Sequence, residues 1–180
     1  MNTPTTKPGL GSYMLRYGLM IAAIQIVVLL IFYLLDFNPF TPGKSIINLL
    51  VNLLVNVIIL RVAMIKYRQV NMEGRITFGQ LFVLGALILV FSGAVASLFS
   101  FAFYTYYEPD LMMRYAQDAL ESYEGRIPEV QFERMEERMM DGVENAMSLW
   151  RILLNIAISS VVISAIVSLF IKKDTTLIPE

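Results

Sequence analysis

Four long apolar runs constrain this chain more than anything else in its sequence. They occupy residues 17–35, 46–65, 78–107 and 152–171. A helix rises 1.5 Å per residue, so about 20 apolar residues cross the roughly 30 Å of hydrocarbon in a bilayer. Inside hydrocarbon each peptide N–H and C=O must be bonded within the segment, and a run of this length achieves that only as an α-helix. The expected fold class is therefore all-α. It is a polytopic membrane protein with four transmembrane helices, over residues 15–35, 46–65, 78–107 and 150–171. The composition agrees: the chain is 57% hydrophobic with a mean hydropathy of +0.63, against about 45–50% apolar for a soluble domain.

The first run contains one polar interruption, Gln25, and ends at the turn-rich cluster Asp36-Phe37-Asn38-Pro39. It is long for a signal-peptide core and no small-x-small site follows, so it is read as a retained span. Residues 1–12 are polar and carry Pro4, Pro8, Gly9 and Gly11, which predicts a disordered cytoplasmic tail. Residues 13–172 are then one transmembrane domain and 173–180 a second cytoplasmic tail. Ser45 and Thr77 are expected to N-cap the second and third spans. The third run, at 30 residues, would be about 45 Å long, so it must tilt or project beyond the lipid. Its end, from Phe99 to Tyr107, reads as an aromatic interface belt.

Lysine and arginine set the expected orientation. With four spans both termini share one side, together with Lys7, Arg16, Arg61, Lys66, Arg68, Arg75, Lys172 and Lys173. The other side has Lys44, Arg114, Arg126, Arg134, Arg138 and Arg151, and five of those six fall in the one long stretch from Glu108 to Arg151. Basic residues near short loops count most, and the connection from Arg61 to Arg75 carries four of them. Both termini are therefore expected in the cytoplasm, and the loop over 108–149 outside it.

That loop reads as a helical hairpin between spans 3 and 4. Pro109 and Pro128 can each start a helix, and Gly125 separates them. The second helix, continuing into the fourth span, repeats Phe132, Met135, Met139, Val143, Ala146 and Trp150 at steps of three and four. Glu133, Glu136, Glu137, Arg138, Asp141 and Glu144 fall on its other face. Arg134–Glu137 and Arg138–Asp141 are expected i,i+3 pairs. The hairpin is expected to pack on the outer rim of the bundle.

Several chemistries lack their residues. The chain has no cysteine and no histidine, which removes thiolate nucleophiles, the commonest general base and the commonest zinc ligands. No ionisable residue lies deep in a span, which counts against proton coupling. No nucleotide or calcium motif is present, no cofactor is expected, and a net charge of −1 offers no case for nucleic acid. Methionines 112, 113, 135, 139, 140 and 147 are soft ligands suited to copper(I), but Met135 and Met139 fit the apolar helix face, where methionine fills gaps. The reading is a non-enzymatic protein.

The most pointed feature is Asn48, Asn52 and Asn56, three amides on one face of the second helix. They serve either as interhelical glue or as a polar track for a solute or ion. Gln25 on the first helix and Asn155 and Ser159 on the fourth are the candidate partners in a polar network. Small residues (Ser92, Gly93, Ala96, Ser97 and Ser100 on span 3; Ser160, Ser164 and Ser168 on span 4) allow close helix approach, within the chain or in a homodimer through the third helix.

Tyr17-Gly18-Leu19, then Gly74-Arg75-Ile76-Thr77-Phe78-Gly79 before the third span and Tyr106-Tyr107-Glu108-Pro109-Asp110 after it, occur in an order that resembles domain-of-unknown-function family 4199. The resemblance covers residues 13 to 172. It implies four helices and a bacterial inner-membrane location, and assigns no activity and no catalytic residue. The expected partners are the lipid bilayer and either a second copy or another membrane protein. The expected role is an accessory or scaffold subunit acting through helix contacts and the acidic loop, with the Asn48/Asn52/Asn56 pathway as the alternative.

Overall fold

A computed structural model describes residues 7–74, 76–146 and 148–175, the side chains of 173–175 excepted. Six α-helices appear in the order α1 (Leu10–Leu34), α2 (Lys44–Asn71), α3 (Phe78–Ala102), α4 (Leu111–Glu121), α5 (Glu129–Glu144) and α6 (Leu149–Thr175). A π-helical turn, Phe103–Tyr107, extends α3. There is no strand among the described residues. The expectations for residues 1–6 and 176–180, for Arg75 and Met147, and for the Lys173 side chain lie outside the described residues.

Four helices are long and apolar enough to cross a membrane: Leu10–Leu34, Lys44–Asn71, Phe78–Tyr107 and Leu149–Lys172. Only 22% of the most apolar window of three of them, and 33% of the third, is buried inside the chain. The remaining flanks present leucine, isoleucine and valine outward, such as Leu49 at 65% and Leu98 at 71% exposure. Water would not tolerate so large a continuous apolar surface, whereas lipid does.

The long helices pack side by side. α1 lies against α2 and α3, α6 lies against α2 and α3, and α2 also touches α3. Close approach depends on glycine where backbones meet. A Cβ on Gly18 would fall 2.6 Å from Phe91 Cδ1, and one on Gly85 would collide with Met64 Cε and Ser164 Oγ. Ser164 Oγ donates to Phe82 O at 2.7 Å, tying α6 to α3. Ser160, Ser164 and Ser168 are all buried, so this row of small residues is used within the chain.

Burial is uneven along the spans. The fully packed residues of α1 are Tyr13, Tyr17, Gly18, Ile21 and Ala22; those of α2 begin only at Asn56; those of α3 stop at Ser92. In α6, Ser160, Ser164, Val167, Ser168 and Ile171 are buried. Apart from Asn56, Ser92 and Ser160, which lie at mid-helix, all belong to the half of each helix nearest the chain termini, here called the terminal end. The opposite, or hairpin, end is closed more loosely by Phe103, Leu111 and Tyr115 with Leu29, Leu30, Tyr33, Phe40, Phe99 and Tyr104.

Local chemistry differs from expectation in several places. α1 starts at Leu10, so residues 10–12 are helical rather than part of a tail; Pro8 O accepts from Asn71 Nδ2 at 2.7 Å and Lys7 pairs with Glu73 at 3.3 Å. Gly43 rather than Ser45 caps α2, because its φ of +80° turns the chain into the helix two residues earlier. Thr77 does cap α3, in a reciprocal box with Gln80. The aromatic run after Phe99 is divided: Tyr106 and Tyr107 are exposed as a belt requires, but Phe103 turns inward against Tyr33.

α4 and α5 do form a packed helix pair between the third and fourth spans. The polarity of α5 holds, with Phe132, Met135, Met139 and Val143 half-buried and the acidic face exposed, except that Arg138, expected on the charged face, lines one cavity with Met135 and Met139. Trp150 does not continue that face, since it is 68% exposed. α5 also does not run on into the fourth span. Asn145 Nδ2 donates to Asp141 O at 3.0 Å and Oδ1 at 2.8 Å, ending the helix, and α6 begins afresh at Leu149. Neither expected i,i+3 ion pair forms; Asp141 Oδ2 instead meets Arg151 at 3.3 Å.

Candidate functional site

The three asparagines of α2 lie on one face, as their spacing requires, but they bond mainly to their own helix. Asn52 Nδ2 donates to Asn48 O and Oδ1 at 2.9 and 2.8 Å, and Asn56 Nδ2 donates to Asn52 O at 2.8 Å. One contact crosses between helices: Gln25 Nε2 donates to Asn56 Oδ1 at 3.4 Å. Asn155 is exposed near the start of α6, and Ser159 donates back to Asn155 O at 2.5 Å. Neither reaches the α2 amides.

The asparagines divide between two adjoining cavities. Asn56 and Gln25 border a narrow space of about 90 Å³ with Ser92, Gly93, Ser159 and Ser160. Asn48 and Asn52 border a larger one of about 290 Å³ between α1, α2, α3 and α4, where Ser97, Ser100, Tyr104 and Tyr115 add hydroxyls. Gln25 and Gly93 belong to both. Below this polar level, Ile21, Leu60, Met64, Leu81, Leu84 and Ile88 are fully buried and fill the terminal end. The amides therefore line a pocket that begins at the hairpin end and stops part-way along the helices.

The roof of that pocket is held by residues with no obvious sequence signal. α1 ends in a Schellman turn: Asp36 takes a φ of +49°, Phe37 N donates to Phe32 O at 2.8 Å, and the two phenyl rings stack at 4.2 Å. The turn delivers Asn38, which is 5% exposed, against α4. Asn38 Nδ2 donates to Tyr115 O at 2.7 Å while its Oδ1 accepts from Phe40 N at 2.9 Å. Beside it the Tyr33 hydroxyl donates to Glu108 Oε1 at 2.6 Å, and Arg114 Nη2 donates to Glu108 Oε2 at 2.9 Å. Tyr115 is 6% exposed and its hydroxyl has no hydrogen-bond partner. Burial, and next the Asp36 carboxylate, push its phenol above its ordinary range.

A third cavity, of about 830 Å³, lies between α4, α5 and the first two turns of α6, at the start of the fourth span. Met112, Met135 and Met139 contribute to its walls, along with Arg134, Arg138 and Arg151. Those guanidinium groups oppose a copper ion at the same thioethers. Among the described residues no group of three carboxylates is placed to hold a metal.

No curated protein and no solved structure matches the chain. Residues 16–173, which include the Gly18 contact, the Thr77 capping box and the Glu108 clamp, match the family described as "Protein of unknown function (DUF4199)", and the chain belongs to that family.

Proposed function

We propose that this chain is a non-enzymatic accessory or scaffold protein of the bacterial inner membrane. In this reading it is a four-helix bundle with cytoplasmic termini and an extracytoplasmic α4–α5 hairpin. It works by holding a second membrane protein, or a second copy of itself, at its open end. The observation that carries this is the one-sided packing. The fully buried residues of every span run from its terminal end to about mid-helix, while the hairpin halves of α2 and α6 leave Leu49, Leu50, Leu53, Leu54, Leu153 and Ile158 outward, those of α2 beside an amide-lined pocket. Membrane helices associate through packing and side-chain hydrogen bonds, and this end offers both.

Site-specific photo-crosslinking from Leu53 and Ile158 in intact cells, followed by purification in mild detergent, tests the proposal. A discrete adduct is expected from these positions and none from Leu87, on the outer face of α3. A chain that stays monomeric and without adducts refutes it.

The alternative reading is a solute or ion pathway along Asn48, Asn52 and Asn56. The 290 Å³ cavity favours it, and the fully buried core at the terminal end opposes it. Flux into proteoliposomes that survives replacement of all three asparagines by leucine removes this alternative.

A further inference from the structure

The segment spanning residues 108–151 carries eleven acidic residues and five arginines. The 830 Å³ cleft inverts that ratio. Three of the five arginines line it, Arg134, Arg138 and Arg151, and no carboxylate does. The inversion is built by helix period. Arg134 and Arg138 are four residues apart, so they share a face of α5 with Met135 and Met139, while Glu133, Glu136, Glu137 and Glu144 point away to solvent. Arg151 stands on the first turn of α6 and donates through both terminal nitrogens to Asp141 Oδ2, at 3.4 and 3.3 Å, with Asn145 donating to the same carboxylate group at 2.8 Å. Neither Arg134 nor Arg138 forms an ion pair among the described residues.

Depth fixes the rest of the chemistry. Arg151 begins the apolar span Leu149–Lys172, and Trp150 beside it is exposed, as aromatic residues at the lipid headgroup level are. The cleft therefore sits where headgroup meets acyl chain. Its polar wall is cationic, and its other wall is Phe40, Met112 and Ile152. Methionine-rich walls adapt to flexible hydrocarbon, and arginine binds phosphate oxygens by paired N–H donation.

We propose that the cleft between α4, α5 and α6 binds the headgroup of an anionic phospholipid from the leaflet at the hairpin end. The phosphate lies between Arg134, Arg138 and Arg151, and the first acyl carbons lie along Phe40, Met112 and Ile152. Gln131 and Asn155 at the two edges of the cleft offer amides to the glycerol oxygens. This site is independent of whether the open end of the spans holds a protein partner.

Trp150 is the only tryptophan and precedes Arg151 of the cleft, so its emission reports on lipid arriving beside the cleft. The full chain in neutral detergent is titrated with phosphatidylglycerol carrying brominated acyl chains, and separately with phosphatidylcholine carrying the same chains. The expected result is quenching at a lower mole fraction of the anionic lipid. Arg134→Gln and Arg138→Gln should each weaken that preference about fivefold, since a basic residue near anionic lipid contributes about that factor. Arg126→Gln, in the turn before α5, should leave it unchanged. Arg134→Lys/Arg138→Lys, which keeps the charge, should retain most of it and guards against a merely misfolded double variant. Equal quenching by the two lipids in the wild-type chain overturns the proposal. Loss of the preference on adding millimolar inorganic phosphate also overturns it, and assigns the arginines to a free anion instead.

Discussion

The Tyr33 hydroxyl donates to Glu108 at 2.6 Å, joining the last turn of α1 to the residue that leaves the π-helical turn, 75 positions later. Arg114 holds the other carboxylate oxygen at 2.9 Å but is 57% exposed. A hydrogen bond to a charged group contributes about 1.5–3 kcal/mol, whereas an exposed ion pair contributes about 0.2–1 kcal/mol. Tyr33→Phe should therefore lower stability more than Arg114→Ala does. Thermal unfolding in detergent measures both. Equal losses would mean that the hydroxyl does not carry the clamp.

Gly85 and Gly79 sit on the same helix and should respond to alanine with opposite signs. A Cβ at Gly85 meets Met64 and Ser164, so Gly85→Ala overpacks the junction of α2, α3 and α6 at a cost of about 1–3 kcal/mol. Nothing lies within 4 Å of a Cβ at Gly79. There the change only removes backbone freedom from the unfolded chain, a gain of about 0.5–1 kcal/mol. Paired unfolding curves decide the point, and a destabilised Gly79→Ala would contradict it.

How far the sequence reveals this architecture depends on the range of the interaction concerned. Span lengths are legible because hydrocarbon thickness acts on each run separately. The Thr77 box is legible because both partners lie within four residues. The Asn38–Tyr115 latch and the Tyr33–Glu108 clamp are not, since their partners are 77 and 75 residues apart, and Asn38 already has an ordinary local reading as part of a turn. The asparagine row is an intermediate case. Its spacing places the amides on one face, but the spans converge only near the terminal end, so Asn56 meets Gln25 while Asn48 and Asn52 face open space. The break between α5 and α6 is hidden for another reason: the helical pattern continues through it, while the Asn145 side chain folds back on Asp141 where α5 ends.

That convergence makes Asn56 and Gln25 an energetic pair. Each single leucine substitution leaves the other amide without its interhelical partner, whereas the double substitution removes both polar groups together. Gln25→Leu and Asn56→Leu should each destabilise, and the double variant should recover part of the loss. The expected coupling is about 0.6 kcal/mol, the average for such bonds between membrane helices. Asn48→Leu, half-buried and bonded only within α2, should change stability little. Purely additive losses in the double-mutant cycle would show that the 3.4 Å contact carries no energy.

Tyr115 supplies the pH dependence. Its phenol is buried, has no hydrogen-bond partner and lies near Asp36, so ionising it in the folded chain is harder than in the unfolded one. A folded-state pKa raised above 10.0 contributes stability that is complete below 10.0 and is lost as the pH rises through the folded value. Between about pH 8 and about pH 11 the unfolding temperature of the wild-type chain should therefore fall relative to that of Tyr115→Phe, which has no proton to lose. At neutral pH the same substitution removes a hydroxyl that bonds to nothing, and should cost less than about 1 kcal/mol. Parallel curves across the alkaline range would show that Tyr115 ionises freely. A large loss at neutral pH would show that its hydroxyl is bonded after all.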